Sequence, residues 1–377
     1  MAEYLTNTTD LTKVADAIRA KGGTTAVLEY PDGFATAIGN IQTGTELSIV
    51  VSVTSGAVVT ATKGSTTVSG TSVNGTCTLI VPEAGTWSVK ATLGGLTSGT
   101  KNVSVVNSYS LTLSFVSSTL NNNDWATIKS VSDAGQGANY WSIGDRKAVT
   151  LNGTVGKLSL SNVTTYAFIL GFNHNASVEG ANRIHFQFAK TALSGGTDVC
   201  LCDSSYNSTV LTTGHFSMNA EATNSGGWKS SQMRTNICGT SLSSYSGTII
   251  AVIPAALRAV LKSVTKYTDN VADGGGSSSV FITATTDYFF LLSEFEVFGS
   301  ISFANTNEKN KQAQYAYYSA GNSKIKYKHD ITSIVASWGL RSPAASYAQY
   351  FARVTTDGRV DANSANYSFG FAPGFCV

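Results

Sequence analysis

The chain has 377 residues, enough for roughly two or three domains, and 13% of them are charged, about half the usual share. The formal charge of +2 provides no basic field for nucleic acid. No apolar run approaches the ~18 residues that a membrane span requires. We therefore expect neither nucleic-acid binding nor membrane insertion. Surfaces rich in Ser, Thr, Asn and Gly are typical of β-rich extracellular or virion-surface proteins.

Residues 1–44 predict two short helices. Apolar residues recur at helical spacing in both of them: Leu11, Val14, Ala15 and Ile18 in the first, and Phe34, Ala37, Ile38 and Ile41 in the second. Helices this short cannot bury such stripes alone. They need either the neighbouring domain or copies of themselves, and a self-associating collar would make the protein an oligomer.

Residues 45–107 predict a small β-sandwich. Short runs rich in Val, Thr and Ile, such as "ELSIVVSV" and "TWSVKATLGG", alternate with Gly, Asn-Gly and Pro at regular spacing. Trp87 is the expected core aromatic. Nothing in this segment has the pattern of a functional site.

Residues 108–377 predict a mixed α+β domain, so the whole chain is expected to be mostly β. The segment 253–268, "IPAALRAVLKSVTKYT", has apolar residues at helical spacing and predicts the best helix of the chain. The segment 280–299 predicts two strands that meet near Asp287, with Glu294 and Glu296 on one strand face. Near the C-terminus, "YFARV" and "RVDAN" flank a turn with Gly358, which predicts a β-hairpin.

No enzyme constellation emerges from the sequence. The four histidines are scattered without the spacing of a zinc site, and no Gly-x-Ser-x-Gly elbow is present. Glu294 and Glu296 are expected on a solvated or ion-paired face rather than in a catalytic cleft. The five cysteines are an odd number and predict buried free thiols. We expect a protein without catalytic activity, cofactor or metal.

A series of motifs in fixed order resembles a C-type-lectin-like domain family of phages and prophages of gut bacteria. These motifs include "YWSIGDRKAV", "GGWKSSQMRTNIC", "FFLLSEFEVFG", "QYAYY" and "WGLRSPAASYAQYFARV", and the resemblance spans about residues 110–377. The block 338–377 resembles the variable region of proteins that diversity-generating retroelements rewrite at adenines. The segment "TDLTKVADAIRAKGG" resembles the start of phage tail and fibre proteins, and the domain 45–107 is similar to Ig-like modules of virions.

These resemblances together imply a receptor-binding protein of a phage tail fibre or tail tip. It would bind a bacterial surface receptor, protein or glycan, and assemble with other tail proteins. Because fibres usually have three-fold symmetry, a homotrimer is expected. The first residues have no apolar segment of a signal peptide, so we expect synthesis in the host cytoplasm and a final location in the virion. The alternatives are a purely structural or decorative virion protein and an undiversified prophage-encoded surface binder.

Within this resemblance, two features favour a binding protein without enzymatic activity and without a metal. Oxidising enzymes of the C-type-lectin-like superfold use a cysteine pair, whereas Cys376 has no obvious local partner. The sugar-chelating motifs of calcium-dependent lectins are missing, which favours a site without metal.

The block 338–377 separates into a frame and displayed side chains. The frame is expected at Trp338, Arg341, Pro343, Gly358, Gly370 and Pro373. The side chains expected to face a ligand are Ala344, Ala345, Ser346, Tyr347, Tyr350, Arg353, Asp361, Asn363, Ser364, Asn366, Tyr367, Phe369 and Phe371. Antibody paratopes are enriched in the same residue types, Tyr, Ser and Asn. Gln349 is left out, because randomised adenines in Asn-type codons do not yield Gln.

Overall fold

The structure, a computed structural model, describes residues 8–22, 26–39, 46–94 and 96–377. Among these residues, strands account for 36% and helices for 21%, so the fold is mostly β with helices, as the sequence predicts. The chain divides into two compact units, Met1–Phe115 and Val116–Val377. The predicted boundary between residues 44 and 45 lies outside the described residues.

The first unit begins with a pair of helices. These are α1 (Thr8–Gly22) and α2 (Asp32–Gly39). Three side chains form a small core between them: Ala15, Ile18 and Phe34. This core holds part of both predicted stripes, so the two helices bury some of their apolar surface against each other.

The rest of the two stripes is not covered. Val14 is 48% exposed and Ile38 is 54% exposed, so the helix pair leaves these two stripe residues uncovered. Each helix of a pair shields only one side of the other, so stripe residues that are turned away stay exposed. Ile41 lies outside the described residues.

A two-sheet β-sandwich follows the helices. Its strands are β1 (Ser48–Ser52), β2 (Val58–Lys63), β3 (Thr66–Thr71), β4 (Thr76–Ile80), β5 (Gly85–Leu93), β6 (Leu96–Ser98), β7 (Lys101–Val105) and β8 (Ser108–Thr112). One sheet has the order β4-β1-β8, and the other contains β3-β2-β5-β6 with β7 also paired to β5. Alternate residues face inward, and the Trp87 side chain is fully buried among them, as predicted.

The predicted end of the sandwich at residue 107 is too early. β8 pairs in parallel with β1, with Ser48 opposite Ser108 and Val51 opposite Leu111. This pairing completes one of the two sheets, so the strand belongs to the first unit. A two-residue strand, β9 (Phe115–Val116), follows at the boundary of the units.

The second unit is a mixed domain of many short elements. Its strands are β10 (Arg146–Val155), β11 (Leu158–Phe172), β12 (Ile184–Lys190), β13 (Val199–Cys200), β14 (Val264–Asp269), β15 (Ile282–Asp287), β16 (Phe289–Phe290), β17 (Lys326–Lys328), β18 (Val335–Ala336), β19 (Trp338–Pro343), β20 (Tyr350–Val354), β21 (Val360–Ser364) and β22 (Gly374–Cys376). Its helices are α3 (Trp125–Asp133), α4 (Gly137–Tyr140), α5 (Ala176–Glu179), α6 (Gly227–Ser230), α7 (Ile249–Val252), α8 (Ala255–Arg258), α9 (Glu294–Phe298) and α10 (Ala316–Ser319). Single 3-10 turns occur at Leu120–Asn122, Ser279–Phe281 and Glu308–Asn310, and a π-helix spans Met233–Cys238.

The largest sheet of this unit contains the C-terminal strand. Its order is β10-β11-β12-β22-β16, and all pairs are antiparallel. Phe375 of β22 contacts the rings of Phe186, Phe188 and Phe289. The apolar end of the chain is therefore core. Three smaller sheets have the orders β13-β17-β18, β14-β15 and β19-β20-β21.

The predicted helix over 253–268 is wrong for most of its length. Only the single turns α7 and α8 form nearby, and the last five residues of the segment belong to strand β14, which pairs with β15. The backbone N–H of Lys262 donates to the carbonyl of Cys376 over 2.9 Å. Long-range pairing of this kind outweighs the weak helical propensity of the segment.

The expected strand with Glu294 and Glu296 on a solvated or ion-paired face is wrong about the strand and the solvation, whereas Glu296 is ion-paired with Lys266 and Arg341. Both carboxylates are fully buried, and they lie on α9 rather than on a strand. Ser293 caps this helix, since its hydroxyl accepts from the Glu296 N–H while the Glu296 carboxylate accepts from the Ser293 N–H. The sequence "SEFE" carries this capping-box signal, which favours a helix start.

Candidate functional site

The predicted C-terminal hairpin is present. β20 and β21 pair in antiparallel register, with Tyr350 opposite Ser364 and Arg353 opposite Asp361. Gly358 in the connecting turn has φ of +83°, a backbone conformation that glycine adopts most easily. β19 pairs with the other edge of β20 and connects the hairpin to the buried part of the domain.

Eight of the thirteen candidate side chains reach the surface, and we call them the display surface. They are Ser346, Tyr347, Tyr350, Arg353, Asp361, Asn363, Ser364 and Tyr367. Ser346 and Tyr347 are exposed and the other six are half-buried. Tyr347 is a large hydrophobic side chain that is 54% exposed.

The other five candidates are buried, which corrects the prediction for them. They are Ala344, Ala345, Asn366, Phe369 and Phe371. Ala344 bridges to Ala304, and the Phe371 ring lies 5.2 Å from the ring of Phe216. These side chains face inward because the backbone on either side of the hairpin is bonded to distant segments.

Backbone hydrogen bonds hold the chain after β21 against residues 201–216. The carbonyl of Asn366 accepts from the Val210 N–H over 2.8 Å, and the Phe371 N–H donates to the carbonyl of Leu201 over 2.7 Å. The Phe369 N–H donates to the carbonyl of Phe216 over 2.9 Å. None of these bonds uses a side chain of the display surface. These three bonds therefore hold the backbone of this segment whatever side chains the display surface carries.

The display surface is rich in tyrosine, and its two charged side chains are of opposite sign. The rings of Tyr347 and Tyr350 stack at 5.5 Å with an interplanar angle of 29°. Arg353 pairs with Asp361 over 2.7 Å, so the charges of these two side chains compensate each other. The Tyr367 hydroxyl donates to the carbonyl of Asn207 over 2.7 Å, which fixes the direction of its ring.

Strand alternation distributes the display surface over two faces of the hairpin. Arg353, Asp361 and Asn363 share one face, and Tyr350 and Ser364 share the other. A single flat ligand cannot cover both faces equally. The sequence did not predict this division, because it depends on the register of the two strands.

Most of the expected frame residues are buried. Trp338, Arg341, Pro343, Gly370 and Pro373 are buried, and Gly358 is half-buried in the turn. A Cβ on Gly370 would overlap the Sγ of Cys200, so this position has no space for a side chain. The frame therefore has little tolerance for substitution.

Arg341 is the most constrained of these residues. Its guanidinium donates to both carboxylate oxygens of Glu296, to the carbonyl of Leu291 over 2.9 Å and to the Thr268 hydroxyl over 2.9 Å. Burial alone would raise the pKa of Glu296, but Arg341 and Lys266 together hold it below its usual value. The carboxylate of Glu296 is therefore ionised, and the buried pair is charged.

The ion pair belongs to a larger buried network. The Lys266 ammonium donates to Glu296 over 2.9 Å, to Glu179 over 2.7 Å and to the Tyr315 hydroxyl over 2.9 Å. We call this set, together with Arg341, the buried network. Its two cations, Lys266 and Arg341, lie close to the carboxyl groups of Glu179 and Glu296, so charges that are removed from water are paired.

One part of this network has the composition of a metal site. Ligand atoms of His174, Glu179 and Glu296 lie within 4.8 Å of one another. Burial lowers the pKa of His174 to about 3, so its imidazole is neutral, and its Nε2 has no hydrogen-bond partner in the described part of the chain. The Glu296 oxygens, however, already accept from Arg341 and Lys266. A cation could bind there only by displacing Lys266, so the absence of a metal remains our prediction.

The cysteines form no disulfide, although the sulfurs of Cys200 and Cys202 lie 3.9 Å apart. All five are free and buried. The Cys376 thiol lies 3.3 Å from Nδ1 of His185, and burial raises its pKa to about 12. A thiol with this pKa stays protonated at neutral pH and is a poor nucleophile.

The chain matches a known protein family over part of its length. A protein-family model described as a domain of unknown function, DUF6273, matches residues 206–377. The match covers the whole display surface and names no activity. No curated protein and no solved structure matches the chain. Among the described residues, no helix is long and apolar enough to cross a membrane.

Proposed function

We propose that the chain is a receptor-binding protein of a phage tail fibre or tail tip, and that the display surface binds a bacterial surface ligand. The observation that carries the proposal is the separation of side chains from backbone in the C-terminal block. Tyr, Ser and Asn side chains reach the surface, while the backbone that carries them is bonded to buried groups elsewhere. A retroelement that rewrites side chains requires such a separation, because each new sequence must still fold.

The composition of the display surface supports binding. Tyr provides large, rigid contact area at low cost in conformational entropy, and Ser and Asn provide adaptable hydrogen bonds. The internal pairing of Arg353 with Asp361 leaves no strong field of one sign. A protein or a glycan on the bacterial surface suits this chemistry better than a highly charged polymer.

The other segments have separate roles in this proposal. The helical pair would attach and oligomerise the chain as a homotrimer, and the exposed Val14 and Ile38 provide apolar surface for contact between copies. The Ig-like sandwich would act as a spacer. The second unit would be the C-type-lectin-like binding domain, without enzymatic activity, on a virion that also contains other tail proteins.

The test is adsorption of the full chain to cells of the bacterium that carries the gene and to its close relatives. Replacing Tyr347, Tyr350 and Tyr367 with Ala removes the aromatic part of the display surface. Loss of large aromatic contacts at a binding site typically weakens binding by about tenfold or more. The control is Tyr109→Ala, since Tyr109 is an exposed tyrosine of the sandwich.

The control variant is expected to adsorb like the wild type. Unchanged adsorption of the triple variant would contradict the proposed site. If the wild-type chain bound no cells but was required for particle assembly, the structural or decorative virion protein would be the better description.

A further inference from the structure

A buried asparagine outside the C-terminal block closes the loop that carries Tyr347. We call residues 344–350 the Tyr347 loop. The Asn224 side chain is fully buried, and its Nδ2 lies 3.0 Å from the carbonyl oxygen of Ala344, 2.7 Å from that of Tyr347 and 2.9 Å from that of Tyr350. One amide group therefore contacts the beginning, the middle and the end of the loop.

The remaining polar groups of Asn224 strengthen the same connection. Its Oδ1 accepts from the Asp273 N–H over 2.9 Å, and its own backbone N–H donates to the carbonyl of Ala348 over 2.8 Å. The adjacent Gly-rich segment also takes part, since the Gly276 N–H donates to the carbonyl of Ala345 over 2.9 Å. Four carbonyls of the loop thus accept from Asn224, and a fifth accepts from Gly276.

These bonds reach only backbone atoms of the Tyr347 loop. An amide Nδ2 has two protons, which the three carbonyls share. The carbonyls of Tyr347 and Tyr350 also accept from the N–H groups of Tyr350 and Ala344, so the buried Asn224 amide adds to the loop's own bonds and favours one loop conformation. The side chains of Ser346, Tyr347 and Gln349 do not contribute to any of these bonds.

We infer that Asn224 is a positioning residue for the display surface, which sets the conformation of the Tyr347 loop whatever side chains the loop carries. The inference deepens the proposed function and rests on it for the biological use of the loop. A pre-ordered loop loses less conformational entropy when a ligand binds, so Asn224 would increase the affinity of different loop sequences alike.

The test is amide hydrogen exchange on the full chain without ligand. In Asn224→Ala and Asn224→Asp, we expect the amides of Ala344 and Tyr350 to exchange about tenfold faster or more, because local opening of the loop becomes easier. Amides of the central strand β12 should keep their protection. A merely structural role would lower the protection of both regions together.

Asn123 provides a matched control. It is also buried, and its Nδ2 also faces three carbonyls, those of Ser117, Thr119 and Leu120, at 2.9, 3.0 and 3.3 Å. Asn123→Ala should speed exchange around residues 117–123 and leave the Tyr347 loop unchanged.

A second variant keeps the inference testable if the Asn224 variants do not fold. Ser346→Ala, Tyr347→Ala and Gln349→Ala together alter the exposed loop side chains and leave Asn224 in place. We expect exchange in the loop to stay within about twofold of the wild type. Faster exchange in this variant, or unchanged exchange in folded Asn224 variants, would overturn the inference. Neither result depends on a receptor, so failure of the proposed function would appear separately, as absent adsorption by the wild-type chain.

Discussion

Arg341 and Arg353 lie on neighbouring strands, β19 and β20, and each pairs with one carboxylate. The Arg341–Glu296 pair is fully buried within the buried network. The Arg353–Asp361 pair lies on the display surface, with side-chain exposures of 19% and 39%. A buried pair that loses one partner leaves an unpaired charge out of water, whereas an exposed pair is replaced by water. The same residue type is thus fixed at one position and exchangeable at the other.

This contrast describes the C-terminal block as a whole. Its inward residues are held by the buried network, the Phe375 cluster and the contact of Gly370 with Cys200. Its outward residues make few bonds: Arg353 pairs with Asp361, and Tyr367 bonds to Asn207. Within the same 40 residues, 338–377, one set of side chains therefore stabilises the fold and a different set forms the display surface. The following substitutions test how complete this separation is.

The largest effect is expected from Arg341→Ala. Removing one partner from a buried ion pair typically costs about 3–5 kcal/mol, because Glu296 and its neighbours lose their compensating charge. Urea denaturation measures the free energy of unfolding of the variant and of the wild type. Arg353→Ala is the matched control, and it should cost about 1 kcal/mol or less. Similar losses for the two arginines would show that the separation does not exist.

A smaller loss is expected from Gly370→Ala. The new methyl group would overlap Cys200, and overpacking of this kind costs about 1–3 kcal/mol. Cys200→Ala in the same chain removes the sulfur and should restore part of the loss, but the carbonyl of Ser337 remains 2.9 Å from the added Cβ. Melting temperatures of the two single variants and the double variant measure this coupling. Fully additive losses would contradict the close contact.

A pH dependence is expected from Glu308, whose carboxyl group is buried beneath β19. Burial raises its pKa from 4.5 to about 7. Below pH 4.5 the folded and unfolded states both hold the proton. Between pH 4.5 and 7 the unfolded state releases it while the folded state keeps it, so stability falls as the pH rises, and above about pH 7 this dependence ends.

Glu308→Gln removes this titration. Between pH 5 and 7, we expect the free energy of unfolding of the wild type to fall by on the order of 1–2 kcal/mol relative to that of this variant. Denaturation at several pH values measures the difference between the two chains, in which the titrations they share cancel. A difference that stays constant with pH would contradict a protonated buried Glu308.

The smallest effect is expected for the exposed ion pair. A double-mutant cycle with Arg353→Ala and Asp361→Ala should give a coupling energy of about 0.2–1 kcal/mol, reduced by salt because both side chains are partly in water. A coupling above this range, or one that salt does not change, would place this pair with the frame rather than with the display surface.

Local sequence patterns predicted the hairpin, the core of the sandwich and part of the frame. The turn around Gly358 predicted the hairpin, the alternation of the sandwich strands predicted a core position for Trp87, and the segment "WGLRSP" predicted that Arg341 belongs to the frame. Each of these signals lies within a few residues of the feature that it describes.

The features that the sequence missed depend on distant contacts. Asn366 and Phe371 face inward because residues 201–210 bond to their backbone, and the segment 264–269 is a strand because it pairs with 282–287. Asn224 appears in the sequence only as one asparagine of a polar loop. Its importance depends on three carbonyls more than a hundred residues later in the chain.

The most direct test of the central claim replaces all eight side chains of the display surface with Ala or Ser in one full-length chain. The free energy of unfolding and adsorption to host cells are then measured on the same preparation. If display and stability are separate, the free energy of unfolding changes by only about 2 kcal/mol or less, as for surface substitutions in general, while adsorption is lost. A chain that unfolds, or one that adsorbs like the wild type, would contradict the claim.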